Sequence, residues 1–186
     1  MRNHISILVF AIFLTSCISG GRIIEINDFN KKIESLKLIQ KVSGNSVDKT
    51  TDVSDRLNHT ISTIYLLEIK KGEKASLLLD IQMQTSSKTD KPDSLMLMYL
   101  DGEKIEIAHY KGDTIQLKSN LFIVPENLWV SIANTEKIQY RFYIGKDGID
   151  IKLNPAETAK LKEFLLKAIQ LRDANLPPMP EGLKKL

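Results

Sequence analysis

Between Thr60 and Leu153 short apolar runs alternate with turn-forming residues, and inside most runs the apolar positions recur every second residue. A period of two marks strands that bury one face. The pattern predicts strands at 60–70, 75–84, 95–100, 103–110, 114–118, 127–134, 138–144 and 149–153. Their number and spacing predict a mostly β fold, a β-sandwich or a barrel-like antiparallel sheet. Asp101-Gly102 is the clearest hairpin, because both central residues of a type I′ turn need positive φ and this pair tolerates it. A two-residue loop there sets Met98 opposite Ile105 and Met96 opposite Ile107. Leu95, Leu97 and Tyr99, on the other face of the first strand, are apolar as well and need a cover.

The end of the chain offers one. Asn154-Pro155-Ala156-Glu157 supplies an N-cap, a proline at the first helical position and a glutamate at the third. Leu161, Phe164, Leu165, Ala168 and Ile169 then fall on one helical side. This predicts a C-terminal α-helix over 155–172 packed on the sheet, stopped by Leu176-Pro177-Pro178-Met179-Pro180, with a Pro-rich tail at 177–186. Ahead of the sheet, 28–41 fits two patterns. Phe29, Ile33, Leu36 and Gln40 have helical spacing, whereas SLKLIQKV alternates, and the second half is read as a strand. The polar stretch 43–58 is expected to be a long surface loop or disordered. With no internal repeat and no shift of composition, residues 23–176 are expected to form a single domain.

The first seventeen residues, MRNHISILVFAIFLTSC, obey a different logic. Arg2 precedes an apolar run from Ile5 to Leu14, followed by small or polar residues, which is the layout of a secretory signal. The run is about half the roughly twenty residues a membrane span needs. Leu14-Thr15-Ser16-Cys17 closely resembles the bacterial lipobox, in which a leucine three residues before the cysteine and a small residue just before it mark the cleavage point. The resemblance implies a signal peptide at 1–16, diacylglyceryl on the sulfur of Cys17, and Cys17 as the acylated first residue of the mature chain. Each buried methylene contributes about 0.8 kcal/mol, and two chains already anchor stably. Lipid on Cys17, the lone cysteine, would also remove an unpaired thiol from an exported protein. Residues 17–22 are then a lipidated cysteine and short tether, of which 18–22 reach about 17 Å if fully extended.

In the enterobacterial sorting rule an aspartate after the lipidated cysteine favours the inner membrane. Here Ile18 follows, which by analogy points to the outer membrane. In layout the whole chain is similar to small lipoproteins of spirochaetes and related diderms, although no motif of the mature part fixes a family.

Composition changes the picture only by exclusion. Removing sixteen of the 186 residues leaves 170, and loss of Arg2 lowers the formal charge from +3 to +2. A nearly balanced chain whose lysines are interspersed with acids does not present the basic face that nucleic acid requires.

Motifs for chemistry are sparse. His59 and His109 stand fifty residues apart in no metal-ligand spacing, so a metal site would need carboxylates brought in by folding. There is no G-x-S-x-G elbow for a nucleophile. Asp147 and Asp150 flank Gly148 in what reads as a turn without the calcium-loop pattern, and a spatial carboxylate pair remains open as a route to hydrolysis. Asn58-His59-Thr60 fits the glycosylation triplet and is read as coincidence.

The stretch NLWVSIANTEKIQYRFYIGKDGIDIKL is more informative. If 135–137 form a three-residue loop, Val130 faces Phe142 and Ile132 faces Tyr140, which leaves Trp129, Arg141 and Tyr143 together on the outer face. A loop of two or four residues turns Trp129 inward to Phe142, because a one-residue slip exchanges the faces. The first register keeps Arg141 and Gln139 out of the core and predicts an aromatic and guanidinium patch of the kind found at protein contacts.

The expectation is a lipid-anchored cell-envelope protein acting as a non-catalytic binding module. It would need no cofactor and would meet the membrane through Cys17 and an envelope or extracellular protein through the patch. Two rivals are a carrier of a lipid or other apolar ligand in a sheet cavity and a carboxylate-based hydrolase.

Overall fold

The computed structural model describes residues 20–28, 33–47, 58–70, 74–83, 95–109, 121–144 and 147–175, and its alternating segments pair into one antiparallel sheet. The strands are β1 (Arg22–Asp28), β2 (Ile33–Val47), β3 (Asn58–Lys70), β4 (Ser76–Met83), β5 (Leu95–Leu100), β6 (Glu103–Ala108), β7 (Leu121–Val124), β8 (Ile138–Ile144) and β9 (Asp147–Lys152). Helix α1 (Glu126–Asn134) joins β7 to β8, and α2 (Pro155–Asn175) follows β9. Across the sheet the order is β6-β5-β8-β9-β2-β3-β4-β7, with β1 beside β2 off this path. His109, just past β6, bridges Phe122 of β7. The two ends of the path therefore meet and the sheet nearly closes into a barrel.

Period two sorts each long strand into an inner and an outer face. Leu36, Leu38, Gln40 and Val42 of β2 point inward, as do Ile61, Thr63, Tyr65, Leu67 and Ile69 of β3. Their neighbours in sequence from 35 to 43 and from 60 to 68 are exposed or half-buried. Inner residues of β4, β5, β8 and β9 join these in one core with Leu161, Phe164, Leu165 and Ala168 of α2. Full burial of such a side chain contributes about 1.5–3 kcal/mol, so the helix is held chiefly by this stripe. Leu166 points away and is exposed.

Local chemistry explains where elements start and turn. The hairpin between β5 and β6 has Asp101 at φ 50° and Gly102 at φ 94°, with Met98 paired to Ile105 and Met96 to Ile107, the register that a two-residue turn dictates. At the start of α2 the Asn154 amide donates to Glu157 Oε2 (2.8 Å), and the Glu157 amide donates to Asn154 Oδ1 (2.9 Å). This reciprocal cap satisfies two amides that the helix leaves without partners. The helix runs three residues beyond the expected end, to Asn175.

Several expectations are corrected. Residues 127–134 are helical, within α1, because the apolar residues that can reach the core, Trp129, Ile132 and Ala133, recur at spacings of three and four. Pro125 fixes its own φ at −57° at the N-cap and Glu126 favours the first turn. Val130, a core residue in the strand reading, is exposed.

The polar segment 43–58 is not all loop, since Ser43 to Val47 extend β2 and Asn58 begins β3. Asp147 and Gly148 belong to β9 and pair with Ile144 and Tyr143, so they are not turn residues. Strand β7 was not anticipated. Helix α2 packs into the core that Met96 and Met98 face from the inner side of the sheet, so it does not cover Leu95, Leu97 and Tyr99 on the outer side. The expected strand at 114–118, the tail at 177–186 and the signal and lipidation segment through Ser19 lie outside the described residues.

One long strand organises the end where α2 begins. Along a single edge β2 pairs with β1 through Ile33 to Ile39 and with β9 through Gly44 to Val47. Gln40 lies between the two partners with its side chain buried. It donates through Nε2 to the carbonyl of Gly20 (2.5 Å) and to that of Glu157 (2.8 Å). Two acceptors facing one amide group identify it as the nitrogen end. Residues 20 and 21, expected to belong to a flexible tether, are thus tied to β2 and α2.

Candidate functional site

The sheet itself builds the outer surface over β5, β8 and β9. Leu97 pairs with Arg141, which pairs in turn with Asp150 on the far side. Odd-numbered positions of β8 face outward, which puts Arg141 and Tyr143 on the same face. The Arg141 guanidinium meets Asp150 in a two-point contact, Nε to Oδ1 at 2.5 Å and Nη2 to Oδ2 at 2.6 Å. Their side chains keep 29% and 12% of their exposure, so water screens the pair only in part. Asp150, together with the tyrosines Tyr99 and Tyr143 nearby, holds the guanidinium even more firmly protonated than usual. What remains accessible is an aromatic-edged surface of half-buried Tyr99, Arg141 and Tyr143, beside Leu95 at 40% exposure and flanked on the same face by exposed Lys104, Glu106 and Lys152.

Only part of the expected patch is assembled. Arg141 and Tyr143 share the outer face, but Trp129 lies on α1, is fully buried, and donates its indole N–H to the carbonyl of Val124 (3.1 Å). Its cationic neighbour is Arg172 of α2, whose guanidinium sits 5.7 Å from the ring centre. The helical periodicity of 126–134 moved the tryptophan, and with it went the hairpin register on which the patch was built. Asp150 was the partner the sequence could have supplied. A two-residue connection between Ile144 and Asp147 puts opposite charges at 141 and 150 directly across the strands.

Other candidates have structural partners. His109 stacks edge-on against Phe122, with ring centres 5.6 Å apart. No group of three or more histidine, cysteine, aspartate or glutamate side chains suited to a metal occurs among the described residues. Of the acids considered for hydrolysis, Asp150 is bound to Arg141. In the core the hydroxyls of Tyr65 and Tyr140 hydrogen-bond to each other, and burial pushes both phenols well above their ordinary range. Their neutral forms therefore dominate at physiological pH.

Beside the start of α2 lies an open groove of about 380 Å³, lined by Lys137, Leu153, Pro155, Thr158, Ala159 and Lys162 among others. It lies outside the packed core, so it is not the sheet cavity expected of an apolar-ligand carrier. Cys17 lies outside the described residues. No protein-family model, curated protein or solved structure significantly matches the chain.

Proposed function

We propose that the protein is a lipid-anchored component of the bacterial cell envelope that works as a non-catalytic interaction module, carried on Cys17 and contacting a protein partner through the outer face of β5, β8 and β9. The observation that carries the reading is Leu14-Thr15-Ser16-Cys17 standing three residues ahead of Gly20, whose carbonyl is bonded to Gln40 of β2. An anchor that close to the body leaves the β-rich domain beside its membrane. Support for the contact face comes from its chemistry. Tyrosine and arginine are enriched at protein contacts, and here the arginine is already neutralised by Asp150, which lowers the cost of covering it. By the sorting analogy the membrane is the outer one.

Two measurements test the two halves of the proposal. In cells, Cys17→Ser should abolish incorporation of labelled palmitate and release the protein from membranes; an exported wild-type protein without added acyl mass overturns the anchor. A photo-reactive amino acid at Leu95 should give a discrete protein cross-link that Tyr99→Ala plus Tyr143→Ala weakens at least about fivefold, roughly 1 kcal/mol of lost contact. An unchanged cross-link in that variant overturns the contact face.

A further inference from the structure

Gly20 and Gly21 are built into the fold. Gly20 has φ +124° and Gly21 φ +114°, a range that residues with a side chain rarely adopt. A Cβ on Gly20 would stand 2.5 Å from the Ala156 carbonyl oxygen and 3.2 Å from Lys160 Cβ, and one on Gly21 would stand 2.6 Å from the Ile39 carbonyl oxygen. Both positions therefore demand close backbone approach, to α2 in one case and to β2 in the other. The Gly20 carbonyl is also one of the two acceptors of the buried Gln40 amide. Releasing the segment would leave that donor without one of its partners.

From this we infer that the protein is held against the bilayer by one particular end, the end formed by the start of α2 and the hairpin tip, with the far end of α2 directed away from the lipid. The inference rests on the anchor reading above. Three residue steps separate Cys17 from Gly20, a reach of about 10–11 Å at most. The acylated cysteine cannot leave the headgroup region, and Gly20 cannot leave α2. The first turn of α2 must therefore stay within that reach of the membrane surface.

Other groups share this end. Asp101 Oδ1 accepts from the Lys137 amide at 2.8 Å, and Lys137 lines the same groove as Pro155 and Ala159. On the outer face, Tyr99 pairs with Gln139 beside this end, whereas Tyr143 lies further along β8. Lys160, beside Gly20, is engaged by Glu163 at 2.8 Å, while Lys137 and Lys162 line the groove at this end. The inference rests on tether length and docking, not on headgroup attraction.

The lone cysteine makes a direct test available, since acylation leaves an introduced thiol as the only one to label. Ala159 and Ala174 are both exposed on α2, fifteen residues and about 22 Å apart along the axis. Full-length lipidated Ala159→Cys and Ala174→Cys proteins, each labelled with one fluorophore, are reconstituted into phosphatidylcholine and phosphatidylglycerol vesicles carrying a nitroxide on the headgroup. Quenching at 159 should exceed that at 174 by about threefold or more, given their separation along α2. Inserting a ten-residue Gly-Ser spacer between Ser19 and Gly20 should bring the ratio close to one, because the flexible reach then exceeds the size of the end. Flotation with the vesicles separates the two readings. Proteins that fail to float overturn the anchor and this inference together. Proteins that float with equal quenching, with stronger quenching at 174, or with a ratio the spacer leaves unchanged overturn the orientation alone.

Discussion

The two ends of α2 are held by different physics. At the N-terminal end the bonds are directed at backbone groups. Asn154 and Glu157 cap each other, Gln40 spans two carbonyls, and the Asp101 carboxylate accepts the amides of Glu136 and Lys137. At the C-terminal end Asn175 donates to the Leu171 carbonyl within the helix, and the connections to other elements run between side chains: Arg172 to Glu126, Asn175 to Glu34, and Lys167 to Glu25 further back along the helix. Exposed pairs of that kind contribute between nothing and about 1 kcal/mol each. The firm contact at this end is the buried Trp129 ring, with the Arg172 guanidinium over its face. Bonds directed at backbone groups fix a position, whereas a packed ring supplies stability and leaves its polar surroundings replaceable. The end that must stay in place if the chain is tethered there is the one fixed by direction.

That contrast can be broken most forcefully at the tryptophan. Trp129→Ala should lower stability by about 3–5 kcal/mol, seen as a lower urea midpoint, since it empties a fully buried aromatic site. Gln40→Ala should cost less, about 1–3 kcal/mol, through the two carbonyls it leaves bare. Amide exchange should accelerate at the start of α2 more than at its end; uniform exchange along the helix would erase the contrast.

Removing one side of the cap by Asn154→Ala should cost about 1 kcal/mol. Smaller still, Lys167→Ala should shift stability by less than about 0.5 kcal/mol, and any shift should vanish in 1 M salt.

The buried tyrosine pair adds a pH signature. Both phenols have raised folded-state pKa values, so above about pH 10 the unfolded chain loses protons that the folded one keeps. The stability they confer is complete below that pH and declines as pH rises. A Tyr65→Phe, Tyr140→Phe variant should lose this alkaline decline in a urea titration repeated from pH 8 to 11.

Several features needed no tertiary information. The hairpin at Asp101-Gly102, its register, and the cap and buried stripe of α2 follow from backbone chemistry and periodicity within about twenty residues. Half of the proposed contact face, Arg141 with Tyr143, was legible because i and i+2 share a face in any strand. Asp150 was available from the same rule once the next turn was counted, and Trp129 was misplaced because Val-Ser-Ile alternates on paper. Nine residues do not separate period two from period 3.6, and the choice belongs to whichever face meets the core.

Sequence by itself determined the alternation, the turn, the helix cap and the lipobox-like segment at Cys17, all of which depend on neighbours along the chain. Only the tertiary structure decided the near-closure through His109 and Phe122, the helical state of 126–134, and the docking of Gly20 on α2 and of Gly21 on β2. Those depend on contacts between residues that lie 13, 43 and 136 positions apart in the chain, as in His109 with Phe122, Trp129 with Arg172, and Gly20 with Ala156. Local propensity carries no information about such pairs until the core has chosen its faces.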